Sequence, residues 1–139
     1  MGVRLCFDTS AVLTIVTKNA AARRQLNEHV LHHGGDEYEV MIPAPCIIEL
    51  LTLDPVEILR RLNATVLQLD TDAALVGQRL WKKHHADVKN EKRGVKYDLM
   101  IAAIALSAEC EFLFTANERD FRRMDNGAVF RIWGLMMSS

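Results

Sequence analysis
Short apolar runs that stop at an acid or a proline alternate along this chain with longer segments of helical character, and this alternation restricts the fold more than any single residue does. Val3, Leu5 and Phe7 face one side of a short run and Cys6 the other, as in a strand buried on both faces. Asp8 ends that strand, and Thr9 and Ser10 are placed to cap a helix through Val16. A more polar helix is expected over residues 20–32, closed by Gly34 and Gly35. Residues 40–42 read as a second strand, stopped by Pro43 and Pro45, which also set up a helix start. After Asp54-Pro55 a short helix reaches Leu62. Val66, Leu67 and Leu69 form a third strand ending at Asp70, Thr71 or Asp72 is expected to cap the next helix, and Asp70 and Asp72 read as capping residues and not as ligands. Residues 97–107 form a strongly apolar helix with Asp98 in its first turn, where the macrodipole favours a carboxylate. Further strands at 111–114 and 129–132 flank a helical turn at 118–124. Strands alternating with helices predict an α/β domain with a parallel sheet and crossover helices.

The chain has 139 residues, half of them apolar. That is enough for one domain over residues 1–139 that buries about 68–70% of the surface its unfolded chain exposes. Cys6, Cys46 and Cys110 are widely spaced and sit in apolar runs. They read as buried thiols of a reducing cytoplasm, not as a metal motif or a disulfide framework. No secretory leader is expected ahead of the first strand, and the longest apolar stretch, 99–106, is far short of the roughly 20 residues of a membrane span. A cytoplasmic protein without a membrane partner is the expectation. The net charge of −1 hides a local asymmetry: residues 82–96 hold six basic side chains against two acids. As a loop, with Lys89, Lys92, Arg93 and Lys96 just upstream of Asp98, this segment is suited to hold phosphates; a merely solvated loop is the alternative.

Four acids fall at the ends of apolar runs or on helices that follow them: Asp8, Glu49, Asp98 and Asp120. In open α/β sheets ligands bind beyond the carboxyl ends of the strands, and all four can converge there. Carboxylates brought together repel unless a cation or a proton offsets them. Oxygen ligands of this kind suit Mg²⁺, with Mn²⁺ as a substitute, and a metal so held serves phosphodiester hydrolysis without a serine, cysteine or histidine nucleophile. Each acid alone has a plainer explanation. Asp8 can simply end a strand, Asp98 can be a helix-start acid, and Arg119, Arg122 and Arg123 offer Asp120 ion pairs. Glu49 is the hardest to dismiss, lying between Ile47, Ile48, Leu50 and Leu51.

At these residues the chain resembles the PIN-domain ribonucleases, especially the VapC-type toxins of toxin–antitoxin pairs. The matching stretches are FDTSAVL around Asp8, CIIELL around Glu49, YDLMIAAIAL around Asp98 and TANERDF after Thr115, in the family's order and over essentially the whole chain. The resemblance implies a PIN-like three-layer α/β/α sandwich with a mostly parallel central sheet. It also implies an Mg²⁺- or Mn²⁺-dependent endoribonuclease, commonly a homodimer, inhibited by a cognate antitoxin. By position it makes Asp8 and Asp98 the principal metal ligands, with Glu49 completing the site or positioning water. Thr115 and Asn117 would orient ligands or phosphate. Many relatives carry an aspartate where this chain has Asn117, so Asp120 either takes that role at longer reach or organises the loop. The stretch 33–39 and the basic segment 82–96 are where substrate or partner specificity is expected.

Other classes fit less well. A receiver-like signalling domain needs neighbouring acids after the first strand and a late lysine, and no lysine follows Lys96. A non-catalytic PIN-like RNA- or protein-binding module would have lost its acids. Gly34-Gly35 belongs to no phosphate-loop or dinucleotide fingerprint, and His84-His85 has no ligand spacing for zinc.

Overall fold
The computed structural model describes residues 3–16, 21, 24, 28, 38–50, 53–89, 93–115, 121 and 131–134, with only the backbone of 15–16, 84–89, 93–96 and 131–134. β1 (Val3–Phe7) leads through Asp8 into α1 (Thr9–Val16). β2 (Tyr38–Pro43) is followed by the short α2 (Ala44–Ile48), α3 (Pro55–Leu62) and β3 (Ala64–Leu67). Two long helices, α4 (Thr71–Lys89) and α5 (Arg93–Ser107), precede β4 (Phe112–Thr115) and β5 (Arg131–Gly134). Within the expected polar helix of 20–32, Ala21, Arg24 and Glu28 are helical. The glycine stop, the stretch 33–37 and most of the turn at 118–124 lie outside the described residues.

The sheet runs β3-β2-β1-β4-β5 and every neighbouring pair is parallel, Leu5 standing opposite Val40 on one side and Phe112 on the other. The chain therefore winds outward from β1 through β2 to β3, then crosses back to lay β4 on β1's other flank. Right-handed crossovers in both directions put helices on both faces of the sheet. The reversal lies between β1 and β4, and the carboxyl ends of those two strands flank the crevice where open α/β sheets bind ligands.

A sheet covered on both faces needs strands that are apolar on both faces. Leu5, Cys6 and Phe7 of β1 and Phe112, Leu113 and Phe114 of β4 are all buried. Phe7 and Phe114 meet edge to face with ring centroids 5.4 Å apart, an arrangement the ring quadrupoles favour. α5 presents Leu99 and residues 101–105 to the core. The three thiols are buried and free. No described helix is long and apolar enough to cross a membrane.

Several boundaries differ from the sequence reading, each for a local reason. Asp8, not Thr9 or Ser10, caps α1: its Oδ1 accepts the Ala11 amide at 2.8 Å. Asp70, read as a capping residue, does cap α4, accepting the Ala73 amide at 2.9 Å in place of Thr71 or Asp72. β3 starts at Ala64 and stops at Leu67, because Asn63 turns the chain through the left-handed region directly before it. β4 and β5 each sit later than expected, reaching Thr115 and Gly134.

The basic segment is not a loop over residues 82–96. α4 continues to Lys89 and α5 begins at Arg93, so most of its backbone is helical. No proline or glycine interrupts residues 82–93, and a glycine in a first helical turn is tolerated. In consequence Asp98 lies in the second turn of α5, not the first, and helix-dipole stabilisation does not explain it.

Candidate functional site
Where β1 ends, the chain must turn at once into α1, and Asp8 serves that turn with its backbone while its side chain points into the fold. Its amide donates to the Phe114 carbonyl at 3.3 Å, extending the β1–β4 pairing by one step. Its side chain is 5% exposed. Three donors converge on that carboxylate: Ser10 Oγ at 2.7 Å and the Ala11 amide at 2.8 Å on Oδ1, and Thr115 Oγ1 at 2.5 Å on Oδ2. Thr115 is fully buried at the carboxyl end of β4, 3.4 Å from Ser10 Oγ. Asp8 and Thr115 are thus tied across the reversal point of the sheet.

Glu49 reaches the same edge from α2. It is the residue after that five-residue helix, its amide donating to Ile47, and it is exposed. Its position is accordingly less costly than the apolar run around it suggests, because the helix ends there and turns the carboxylate outward. Ile48 is the apolar residue left in solvent, at 77% exposure. Thr9 Oγ1 donates to Glu49 Oε1 at 2.6 Å, so consecutive residues after β1 hold the two acids, Asp8 itself and Glu49 through Thr9.

The electrostatics of this edge are unfavourable without a cation. Burial pushes the Asp8 carboxyl above its ordinary value; the Thr115, Ser10 and Ala11 donors oppose that shift, and the Glu49 charge adds to it. The buried Cys46 thiol, in α2, is pushed up to about 12, first by burial, with the charges of Asp8 and Glu49 contributing. Tyr97 of α5 is also raised, by burial first and then by Glu49. Its hydroxyl is buried without a hydrogen-bond partner among the described residues, although Glu49 and Thr9 both lie close enough to act on it. No lysine or arginine among the described residues pairs with Asp8 or Glu49; Arg4 pairs with Glu39 and Arg60 with Glu57.

Asp98 is half-buried on α5, one residue beyond Tyr97. Asn117 and Asp120 lie outside the described residues, as does Lys92; Lys89, Arg93 and Lys96 are placed by their helical backbone only. Among the described residues no three acids, histidines or cysteines are gathered closely enough to ligate one metal by themselves. The structure therefore brings together Asp8, Thr115 and Glu49 from the expected set. To them it adds Thr9, Ser10, Cys46 and Tyr97. Thr9 and Ser10 were legible only as caps, although two hydroxyl residues directly after a strand-ending acid signal a polar site as well. Tyr97 was hidden among the apolar residues of its helix.

By sequence, no family model and no curated protein matches the chain. By structure it superposes on DNA-bound VapBC from Salmonella typhimurium with a TM-score of 0.63 and 23% identity, covering 95% of this chain and 98% of that one. VapBC2 from Rickettsia felis, bound to a promoter DNA fragment, gives 0.67 at 13% identity over 96% and 100% of the two chains. VapBC-5 from Mycobacterium tuberculosis, a member of the VapBC family of toxin–antitoxin systems, gives 0.62 at 22% over 96% and 99%. The fold is PIN-like, as in these VapBC structures. Identity this low carries architecture alone, so the roles of residues in this PIN-like fold rest on their own geometry.

The donor set at the edge of the PIN-like sheet fits a hard divalent cation. It is composed of carboxylate and hydroxyl oxygens, one carboxylate is buried with its charge disfavoured, and a second carboxylate adds to that penalty.

Proposed function
We propose that this protein is a metal-dependent endoribonuclease, the toxin of a VapBC-type toxin–antitoxin pair. The observation that carries the reading is the buried Asp8 carboxylate, oriented by three donors at the reversal point of the sheet. It shares that edge with Glu49, and no described cation offsets the two charges. Such an edge is costly to keep in a fold that does not use it.

In this reading Asp8, Glu49 and Asp98 hold Mg²⁺ or Mn²⁺, with Asp120 as a further candidate. A bound ion lowers the pKa of water and polarises a phosphoryl oxygen. The protein's share is placement. Thr115 and Ser10 lock the Asp8 carboxylate in one rotamer, and Thr9 holds Glu49 beside it. In the same reading Thr115 and Asn117 orient ligands or phosphate, while Lys89, Lys92, Arg93 and Lys96 attract the RNA backbone. A cognate antitoxin belongs to the same proposal, supported by the likeness to VapBC toxin–antitoxin structures, and a homodimer is a further part of it.

The test is cleavage of a panel of structured RNAs by protein freed of any partner, with Mg²⁺, Mn²⁺ or EDTA. Internal cuts are expected with either metal and not with EDTA, and are expected to disappear in Asp8→Asn and Asp98→Asn. RNA binding without any cutting, with both variants folded, would assign the fold to a binding module instead.

A further inference from the structure
Two apolar side chains stand in solvent at the margin of the acidic edge. Ile48 is the last residue of α2, and Glu49 follows it in helical geometry, with φ of −74° and ψ of −12°. The two side chains therefore leave the end of α2 about 100° apart around its axis. Both are exposed, whereas Cys46 before them and Leu50 after them are buried. Leu13 reaches the same place from α1. It lies one turn beyond Thr9, on the same helix face, and Thr9 Oγ1 donates to Glu49 Oε1 at 2.6 Å. Leu13 is 37% exposed and Ile48 77%. One apolar residue thus flanks the Thr9–Glu49 bond from α1 and another from α2. Apolar side chains scattered singly over a surface need no explanation, but two beside one polar site have the composition of a ligand-binding margin. Helix formation does not call for isoleucine at Ile48, where alanine serves better.

We propose that Ile48 and Leu13 form an apolar shoulder that receives the nucleobase next to the scissile phosphate of an RNA strand. This deepens the metal-nuclease reading above and rests on it. With a cation between the carboxylates the edge takes an anion, which in that reading is the phosphodiester to be cut. A phosphodiester carries a nucleoside on each side, so a side chain adjacent in sequence to Glu49 lies within one nucleotide of the phosphate. Nucleobases in single strands and loops are unstacked, and their faces are apolar surface that a protein can cover. Branched aliphatic side chains have no donor or acceptor, so the shoulder meets the face of the base and does not read its edge. It selects an unpaired base over a paired one, and it takes no part in holding the cation.

The substrate for the test is an RNA oligonucleotide spanning a cut site mapped with the wild-type protein, together with the same RNA made abasic on one side or the other of that cut. Ile48→Ala is expected to raise KM for the intact RNA about 5–20-fold with kcat unchanged. It is expected to have no further effect on one of the two abasic RNAs, whose KM is already raised with wild type. Leu13→Ala is expected to act in the same direction, and Ile48→Leu to keep KM within about twofold of wild type. Mn²⁺ affinity and the metal-free melting temperature of Ile48→Ala are expected to equal those of wild type, because the trimmed side chain is exposed. Unchanged KM in Ile48→Ala, or equal losses on the intact and both abasic RNAs, would overturn the shoulder and leave the nuclease reading standing. Unchanged KM with a loss of self-association in sedimentation would overturn it in favour of a contact with a second copy of the chain. No metal-dependent cleavage of any RNA by wild type would overturn the nuclease reading and the shoulder with it.

Discussion
Asp8 performs two tasks that conflict in energy. As the N-cap of α1 it stabilises the turn out of β1, and as a charge buried beside Glu49 it opposes folding. The pH dependence follows from the raised pKa. The protonated acid is the form folding favours, so this contribution to stability is complete below the ordinary carboxylate value of 3.8 and is lost as pH rises through the raised value. Metal-free Asp8→Asn is therefore expected to melt above wild type at pH 7, with the difference vanishing as pH falls below about 4. A thermal scan across pH checks this. The same scan with Mg²⁺ is expected to raise the wild-type melting temperature and leave the variant's unchanged. Thr115→Val keeps the shape at the end of β4 but removes a donor from a buried carboxylate. It is expected to cost about 1.5–3 kcal/mol in urea unfolding at neutral pH, with weaker Mn²⁺ binding.

Among the elements, α5 links the core to the site. Its end is a Schellman turn, with the Cys110 amide on the Ala105 carbonyl and the Glu109 amide on that of Leu106, both at 3.0 Å. Arg4 of β1 adds a bond to the Ala108 carbonyl at 2.6 Å. The left-handed position of this turn, with φ of 59°, is held by Glu109, where glycine is unstrained. Glu109→Gly is expected to stabilise the fold by about 0.5–1 kcal/mol in urea unfolding, with activity unchanged. The element-scale misreadings share one cause. Caps and helix starts depend on which side chain turns back to the first amides, and Asp8, Thr9 and Ser10, or Asp70, Thr71 and Asp72, are all competent in sequence. Helix–helix packing likewise extends α4 and α5 into a segment whose charge alone suggests a loop.

At the scale of the whole molecule, a net charge of −1 rules out general attraction to nucleic acid, so an RNA contact must come from a local patch. Replacing Lys89, Lys92, Arg93 and Lys96 with glutamine is expected to weaken single-stranded RNA binding and to lower its log–log salt slope by about 0.7 for each phosphate that the protein no longer neutralises. An unchanged slope would exclude the segment from RNA binding. The sequence by itself determined the parallel α/β class, the buried central strands and the likeness to PIN-domain proteins. Each of these is written in local signals: alternating elements, apolar runs without a polar face, and acids at run ends. Only the tertiary structure decided that Asp8 and Thr115 share a hydrogen bond across the sheet's reversal. It also decided that Thr9 tethers Glu49, that Asp98 lies in a second turn, and that a tyrosine in an apolar helix carries an orphaned hydroxyl beside the acids. Those relations join residues about 40 to 107 positions apart, and their energies depend on burial and distance in the folded chain, which spacing along the sequence does not encode.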